Sequence, residues 1–290
     1  MPALAILRHE LRSLWSGWLV RLWLAGTAVL TLLVVAGNWQ QLPTAPLIGA
    51  LHFQYLFFPW VLVVMVLGVM PVTGQRVEAV ADGLLSRPVT RYEFLLASWA
   101  ARVLTVCAVY LAVMVPAVVL VSLADRPVRE DRVTLFGVVT ALGVVGVVLT
   151  FLTSLGFLLG TVMRKPLVPL VILVFLWYPI NMIMNVYSLE EISPLSLNRS
   201  MATLLRKPPP WAEGDSAEEA EASDAGLSNW TARFVQVLGE AEGPQKREER
   251  PFFDSGEFED FSLGRVLLGY GLPTLAALVL ATVCFCYRDL

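Results

Sequence analysis

The chain alternates long apolar stretches with short charged connections. Five stretches contain no Asp, Glu, Lys or Arg: Leu22–Gln75, Val103–Ala124, Val133–Met163, Pro166–Leu189 and Val266–Tyr287. An α-helix needs about 20 mostly apolar residues to cross a hydrocarbon core about 30 Å thick. Four of these stretches therefore predict one membrane span each, and the first is long enough for two.

The first stretch divides at a polar segment, residues 38–44, which reads Asn-Trp-Gln-Gln-Leu-Pro-Thr. This break predicts a first span at about Leu22–Gly37 and a second at about Phe53–Val72. An aromatic group opens the second span, as is typical of the boundary between membrane and water; it consists of Phe53, Tyr55, Phe57, Phe58 and Trp60. We therefore predict an all-α integral membrane protein with six transmembrane helices. The other four spans are expected at about Val103–Ala124, Val133–Met163, Leu167–Tyr187 and Ser262–Tyr287.

Residues 1–21 predict an N-terminal interfacial helix. Their apolar residues recur at helical three-and-four spacing, and basic residues such as Arg8 and Arg12 lie between them. This pattern favours an amphipathic helix that lies along the membrane surface, with its basic face toward the lipid headgroups. The alternative is that these residues extend the first span, within the transmembrane region predicted at residues 22–187.

Positive charge predicts the orientation. If the N-terminus is cytoplasmic, the inside parts carry ten Lys and Arg residues, and the short outside loops carry three. Because cytoplasmic loops are enriched in Lys and Arg, we predict that both termini are cytoplasmic. The connection at 73–102 then lies inside the cell, and the long segment at 188–261 lies outside.

Composition separates this outer segment from the rest of the chain. Overall, 57% of the residues are hydrophobic and 16% are charged, against about 25% charged in soluble domains. Between Glu190 and Phe261, however, 16 acidic residues face 7 basic ones. We predict a large acidic extracytoplasmic segment at 188–261, followed by the sixth span and a short cytoplasmic tail at 262–290. No long basic run is present, so nucleic-acid binding is not expected.

No catalytic or metal site is predicted. The two histidines, His9 and His52, fall on opposite sides of the predicted topology, which argues against a histidine-based site. The sequence contains no Gly-Lys pair, so it has no phosphate-binding loop that ends in Gly-Lys-Ser/Thr. The three cysteines lie inside predicted spans and are interpreted as packing residues. We expect this chain not to be an enzyme and to bind no cofactor itself.

The connection at 73–102 carries the most informative pattern. Glu78 and Asp82 are four residues apart, on one face of a short helix. Gly83 can end that helix, and Pro88 prevents a helix from continuing through the segment. Thr90-Arg-Tyr-Glu93 matches a capping box, which predicts that a new helix begins there and runs into the third span. An ordinary solvated loop with good caps is the alternative interpretation.

This segment resembles a known family. The run Leu84–Leu96, which reads Leu-Leu-Ser-Arg-Pro-Val-Thr-Arg-Tyr-Glu-Phe-Leu-Leu with Glu78 upstream, is similar to the cytoplasmic segment of ABC type-2 transporter permeases. The resemblance implies the permease subunit of an ATP-driven exporter in a prokaryotic plasma (inner) membrane. It also implies a separate ATP-binding cassette subunit, which binds ATP and Mg, and a second permease subunit, either identical or related.

The resemblance further implies which residues couple the two kinds of subunit. The contacting charges would be Glu78, Asp82, Arg87, Arg91 and Glu93. Gly83 and Pro88 would set the shape of the segment.

Several alternatives stay open at the level of sequence. Tyr178, Asn181 and Asn185 place polar groups in the fifth span, where they line a substrate path or simply pack. The pair Gly156 and Gly160 lets helices approach closely, within one chain or between two. The chain could instead be a non-transporting component that recruits a partner through its acidic segment, or a channel or secondary carrier. The sequence does not reveal the substrate.

Overall fold

The computed structural model describes residues 2–56, 60–70, 90–124, 126, 133–163, 167–186, 194–207 and 263–287. All regular structure in these ranges is α-helical. The helices, in chain order, are α1 (Pro2–Ser16), α2 (Trp18–Asn38), α3 (Thr44–Leu56), α4 (Trp60–Val69), α5 (Arg91–Leu123), α6 (Leu135–Val162), α7 (Leu167–Val186), α8 (Pro194–Arg206) and α9 (Leu263–Tyr287).

Five helical segments among these residues are long and apolar enough to cross a membrane. They are Trp18–Asn38, Thr44–Val69, Tyr92–Leu123, Leu135–Val162 and Leu263–Tyr287. Large apolar side chains lie exposed on the outer faces of α2, α7 and α9, as expected where lipid surrounds the protein. The prediction of a multi-pass, all-α membrane protein is therefore confirmed at this level.

The fifth predicted span, about Leu167–Tyr187, corresponds to α7. Helix α7 has 20 residues. The apolar part of it among the described residues is Leu167–Trp177, so α7 is not one of the five segments above. Six spans, the orientation and the outside location of residues 188–261 stay predictions.

Helix α6 lies at the centre of the bundle and contacts α3, α4, α5, α7, α8 and α9. Its glycines allow the closest of these approaches. A Cβ on Gly156 would lie 3.1 Å from the Cα of Gly68, and one on Gly160 would lie 2.6 Å from the carbonyl oxygen of Val69. The interpretation that this glycine pair packs within one chain is thus confirmed, because both residues press against α4.

The N-terminal helix is separate from the first span. Helix α1 ends at Ser16, and Gly17 takes an extended conformation, with φ −64° and ψ 138°, before α2 begins. The prediction of a distinct helix within residues 1–21 is confirmed, and the alternative of a continuous first span is wrong. Helix α1 packs mainly on α5; its position at a membrane surface stays a prediction.

The second span differs from its prediction. Its helix begins at Thr44, nine residues before the predicted start at Phe53. Most of α3 is buried, and Tyr55, which was assigned to the water boundary, is fully enclosed. The reason is that α3 packs on α2, α4, α5, α6 and α8, so its aromatic residues contact protein.

Helix α8 falls within the segment predicted to be a separate acidic region. It packs on α3 and α6 through apolar residues that include Leu197, Met201 and Leu205, all buried. The Thr134 N–H donates a hydrogen bond of 2.9 Å to the carbonyl of Leu205. Helix α8 therefore belongs to the bundle and closes the end at which α6 begins.

Candidate functional site

Most of the predicted coupling residues lie outside the described residues. These are Glu78, Asp82, Gly83, Arg87 and Pro88. Arg91 is the first residue of α5, but its side chain also lies outside the described part. Glu93 is therefore the coupling residue whose surroundings the structure gives.

Glu93 caps the start of α5. Thr90 is extended, with φ −77° and ψ 147°, and forms a capping box with Glu93. The Thr90 N–H donates to the Glu93 carboxylate at 3.1 Å. Because such a box satisfies backbone N–H groups that have no partner inside the helix, it fixes where α5 begins. The predicted helix start is confirmed, and it sets the boundary between residues 73–89 and a helix of 33 residues.

Arg102 forms a buried charge cluster three turns into α5. Only 2% of its side chain is exposed. Its guanidinium donates to the carbonyl of Ser98 and, at 2.6 Å, to the Ser98 hydroxyl. It also lies 3.5 Å from the carboxylate of Glu10 on α1 and 5.5 Å from the centre of the Phe157 ring on α6. One side chain therefore joins three helices.

This cluster was missed at the sequence level. Arg102 was interpreted as the last charge of the cytoplasmic connection at 73–102. A signal existed, because Ser98 lies four residues earlier on the same helical face. The partner carboxylate on Glu10 is far away in sequence, and no local pattern connects the two.

Neighbouring contacts bind the same part of α5 to the rest of the bundle. The Trp99 indole N–H donates to the Ser154 hydroxyl on α6 at 2.9 Å. Leu95 packs in a small buried cluster with Phe157 of α6 and Ala281 of α9. The first turns of α5 are thus fixed to α1, α6 and α9, immediately after the capped start.

A second polar cluster lies inside the bundle, between α2, α3 and α5. His52 is fully buried, and its Nδ1 lies 2.7 Å from the carbonyl of Ile48. Its ring meets Tyr110 edge to face at 6.2 Å, and Tyr110 meets Tyr55 in the same way at 5.0 Å. Neither His52 Nε2 nor the Tyr110 hydroxyl has a hydrogen-bond partner among the described residues. Ionisable groups inside membrane segments are frequently functional, so this cluster is a candidate site.

A hydrogen-bonded pair lies next to these rings. The Gln54 amide of α3 donates to the Thr31 hydroxyl of α2 at 2.7 Å, and both residues are buried. The Trp60 indole N–H lies 3.4 Å from the Gln54 carbonyl oxygen. Polar contacts of this kind hold helices together in membranes, where apolar burial between helices gives little driving force.

The predicted substrate path lies on α7. Tyr178, Asn181 and Asn185 fall within this helix, but their side chains lie outside the described part. Their spacing places them on one helical face, and Pro179 is inside the helix, where a kink is expected. Whether they line a path stays a prediction.

The described residues contain no group of three or more His, Cys, Asp and Glu side chains that could hold a metal ion. A scan against protein-family models finds no match to the chain, and a search of the curated proteins finds none. Function is therefore inferred from the residues of the chain, chiefly the capped start of α5 and the charge cluster behind it.

Proposed function

We propose that this chain is the permease subunit of an ATP-driven exporter of the ABC type-2 class. A separate ATP-binding cassette subunit, which binds ATP and Mg, supplies the energy. The proposal rests on two features that lie together in the chain. The run Leu84–Leu96, which resembles the coupling segment of such permeases, contains the capped start of α5. The first turns of α5 are fixed to three neighbouring helices.

A coupling segment must pass a movement on without absorbing it. The capping box makes the start of α5 a defined point of entry. From Arg91 to Val115, before Pro116, the helix runs for about 36 Å at 1.5 Å per residue. A displacement delivered to residues 73–90 would therefore travel along a continuous rod rather than a loop.

The Arg102 cluster extends this movement to a second element. Because Glu10 joins α1 to α5 through a buried contact, a shift of α5 would carry α1 with it. Trp99 and Leu95 would pass the same shift to α6 and α9. In this proposal the ATP-binding subunit acts on a block of four helices instead of a single one.

The remaining partners follow from the proposed class. A second permease subunit, identical or related, would complete the translocation unit, with lipid around both. The chain would lie in a prokaryotic plasma membrane with both termini in the cytoplasm. The acidic residues of 188–261 beyond α8 would face the outside, where they are available to a partner or a substrate.

The test is co-purification from membranes of the native host. We expect an ATP-binding cassette protein to be retained by the tagged wild-type chain and lost with Glu78→Lys or Arg91→Glu. Arg129→Glu, a charge reversal in the predicted outside loop, is the matched control and should retain it. Equal retention by all four chains would remove the coupling assignment, and so would the absence of any ATP-binding cassette protein from the wild-type sample.

A proton-coupled carrier is the second candidate, and the buried His52 beside Tyr110 favours it. A carrier of this kind predicts that the chain alone conducts protons in a His52-dependent manner. The decay of an imposed pH gradient can be followed with a dye trapped in proteoliposomes. Faster decay with wild-type than with His52→Phe supports the carrier, whereas equal decay supports a permease that depends on another subunit.

A further inference from the structure

The outer face of α2 carries a groove with a volume of about 530 Å³. The indole ring of Trp60 on α4 forms its floor, and apolar residues of α2 form its walls. The lining includes Leu22, Ala25, Gly26, Val29, Leu33 and Trp60.

Glycine makes the groove possible. A Cβ on Gly26 would lie 2.7 Å from the Cη2 atom of Trp60, so any side chain there would displace the indole ring. Because Gly26 has no side chain, the indole ring approaches the backbone of α2 and forms the bottom of an open apolar groove.

The length of the groove matches one leaflet of a membrane. Eleven residue steps separate Leu22 from Leu33, which corresponds to about 16 Å along a helix. Half of a hydrocarbon core about 30 Å thick is about 15 Å. The groove therefore reaches from one end of a spanning helix to about the middle of the membrane.

Residues typical of the membrane surface lie next to the Leu22 end of the groove, which we call its foot. Trp18, which is 73% exposed, lies one turn before Leu22 on the same face. Arg21 is also exposed and lies one turn before Ala25. Its Nε donates to the carbonyl of Trp15 at 3.2 Å, which fixes the guanidinium at the junction of α1 and α2. Trp and Arg at this position mark the headgroup level, and a guanidinium suits a phosphate.

We propose that this groove binds one acyl chain of an anionic phospholipid, with the lipid phosphate on Arg21. The residues at the foot favour a lipid over a helix of a second copy. Trp18 and Arg21 are both exposed there, and an indole with a guanidinium suits a lipid phosphate at the headgroup level. The proposal needs only that α2 spans the membrane, and it stands independently of the ATP-driven function.

The experiment is native mass spectrometry of the full chain in mild detergent, titrated with dioleoylphosphatidylglycerol or dioleoylphosphatidylcholine. Val29→Trp fills the groove, and Arg21→Gln removes the charge at its foot. Leu32→Trp is the matched control, because Leu32 is 60% exposed on the same helix and does not line the groove.

We expect one tightly bound phosphatidylglycerol on the wild type and on Leu32→Trp. Val29→Trp should bind it about tenfold more weakly, and Arg21→Gln should lose the preference for phosphatidylglycerol over phosphatidylcholine, since a charge-assisted hydrogen bond is lost. Arg21→Gln leaves the groove itself intact, so it tests the site even if Val29→Trp folds poorly. Equal lipid binding by all variants overturns the proposal. Crosslinking of Val29→Cys to a second copy also overturns it, because a protein would then occupy the groove.

Discussion

Glu10 should stabilise the fold chiefly by neutralising Arg102. The substitution Glu10→Gln keeps the size and the hydrogen-bonding oxygen of the side chain but removes its charge. It leaves a guanidinium that is 2% exposed with hydrogen bonds to Ser98 and no charged partner at that contact. An uncompensated charge in a buried, apolar setting is costly.

The magnitude follows from the exposure of the two partners. Removing one member of a buried ion pair typically costs about 3–5 kcal/mol. The Glu10 side chain is 25% exposed, so water partly replaces it, and we expect a smaller loss of about 2–3 kcal/mol. For a chain of this size, that corresponds to a fall in Tm of about 5–10 °C.

The assay is thermal unfolding of the purified protein in detergent, followed by tryptophan fluorescence, with a double-mutant cycle. Arg102→Met removes the buried charge and leaves Glu10 able to reach water, so it should cost less than Glu10→Gln. The double variant should therefore recover much of the stability that Glu10→Gln loses. An unchanged Tm for Glu10→Gln, or a double variant no more stable than Glu10→Gln, would show that Glu10 does not stabilise the fold by neutralising Arg102.

Three further predictions concern packing; the first and the last are measured by the same unfolding assay, and the second by hydrogen exchange. Gly160→Ala should lower stability by about 1–3 kcal/mol because its Cβ would lie 2.6 Å from the Val69 carbonyl oxygen, whereas Gly143→Ala, with no atom within 4 Å, should not; equal effects would contradict the close approach of α4 and α6. Gly137→Ala should loosen α8, whose backbone carbonyls lie 2.5 Å from the added Cβ, and raise hydrogen exchange in α8; unchanged exchange would contradict this contact. Tyr110→Phe should leave Tm unchanged or raise it, because its buried hydroxyl has no partner among the described residues; a fall of several degrees would reveal a missing partner.

Features with a local cause were predictable from the sequence. The capped start of α5 depends on Thr90 and Glu93, three residues apart, and the structure places them as expected. The division between α1 and α2 also follows a local change, from an amphipathic to a uniformly apolar pattern. The close glycine contacts of α6 were predictable in kind, although their partner helix was not.

Features that depend on distant partners were not predictable in this way. The burial of Arg102 depends on Glu10, 92 positions earlier in the chain. Tyr55 resembles a surface aromatic residue in sequence, and only the packing of α3 among its neighbours encloses it. Helix α8 had a readable signal, since Leu197, Met201 and Leu205 recur every four residues, but the acidic composition of the longer segment concealed it.

The proposed function requires that the connection at 73–102 face the cell interior and contact an ATP-binding subunit. The most direct measurement places the photoactivatable residue p-benzoylphenylalanine at position 87 in living cells and identifies the crosslinked protein by mass spectrometry, with position 129 as the control. We expect an ATP-binding cassette protein to be crosslinked to position 87 and not to position 129. A crosslink from position 87 to an extracytoplasmic protein, or no ATP-binding cassette protein at all, would contradict it.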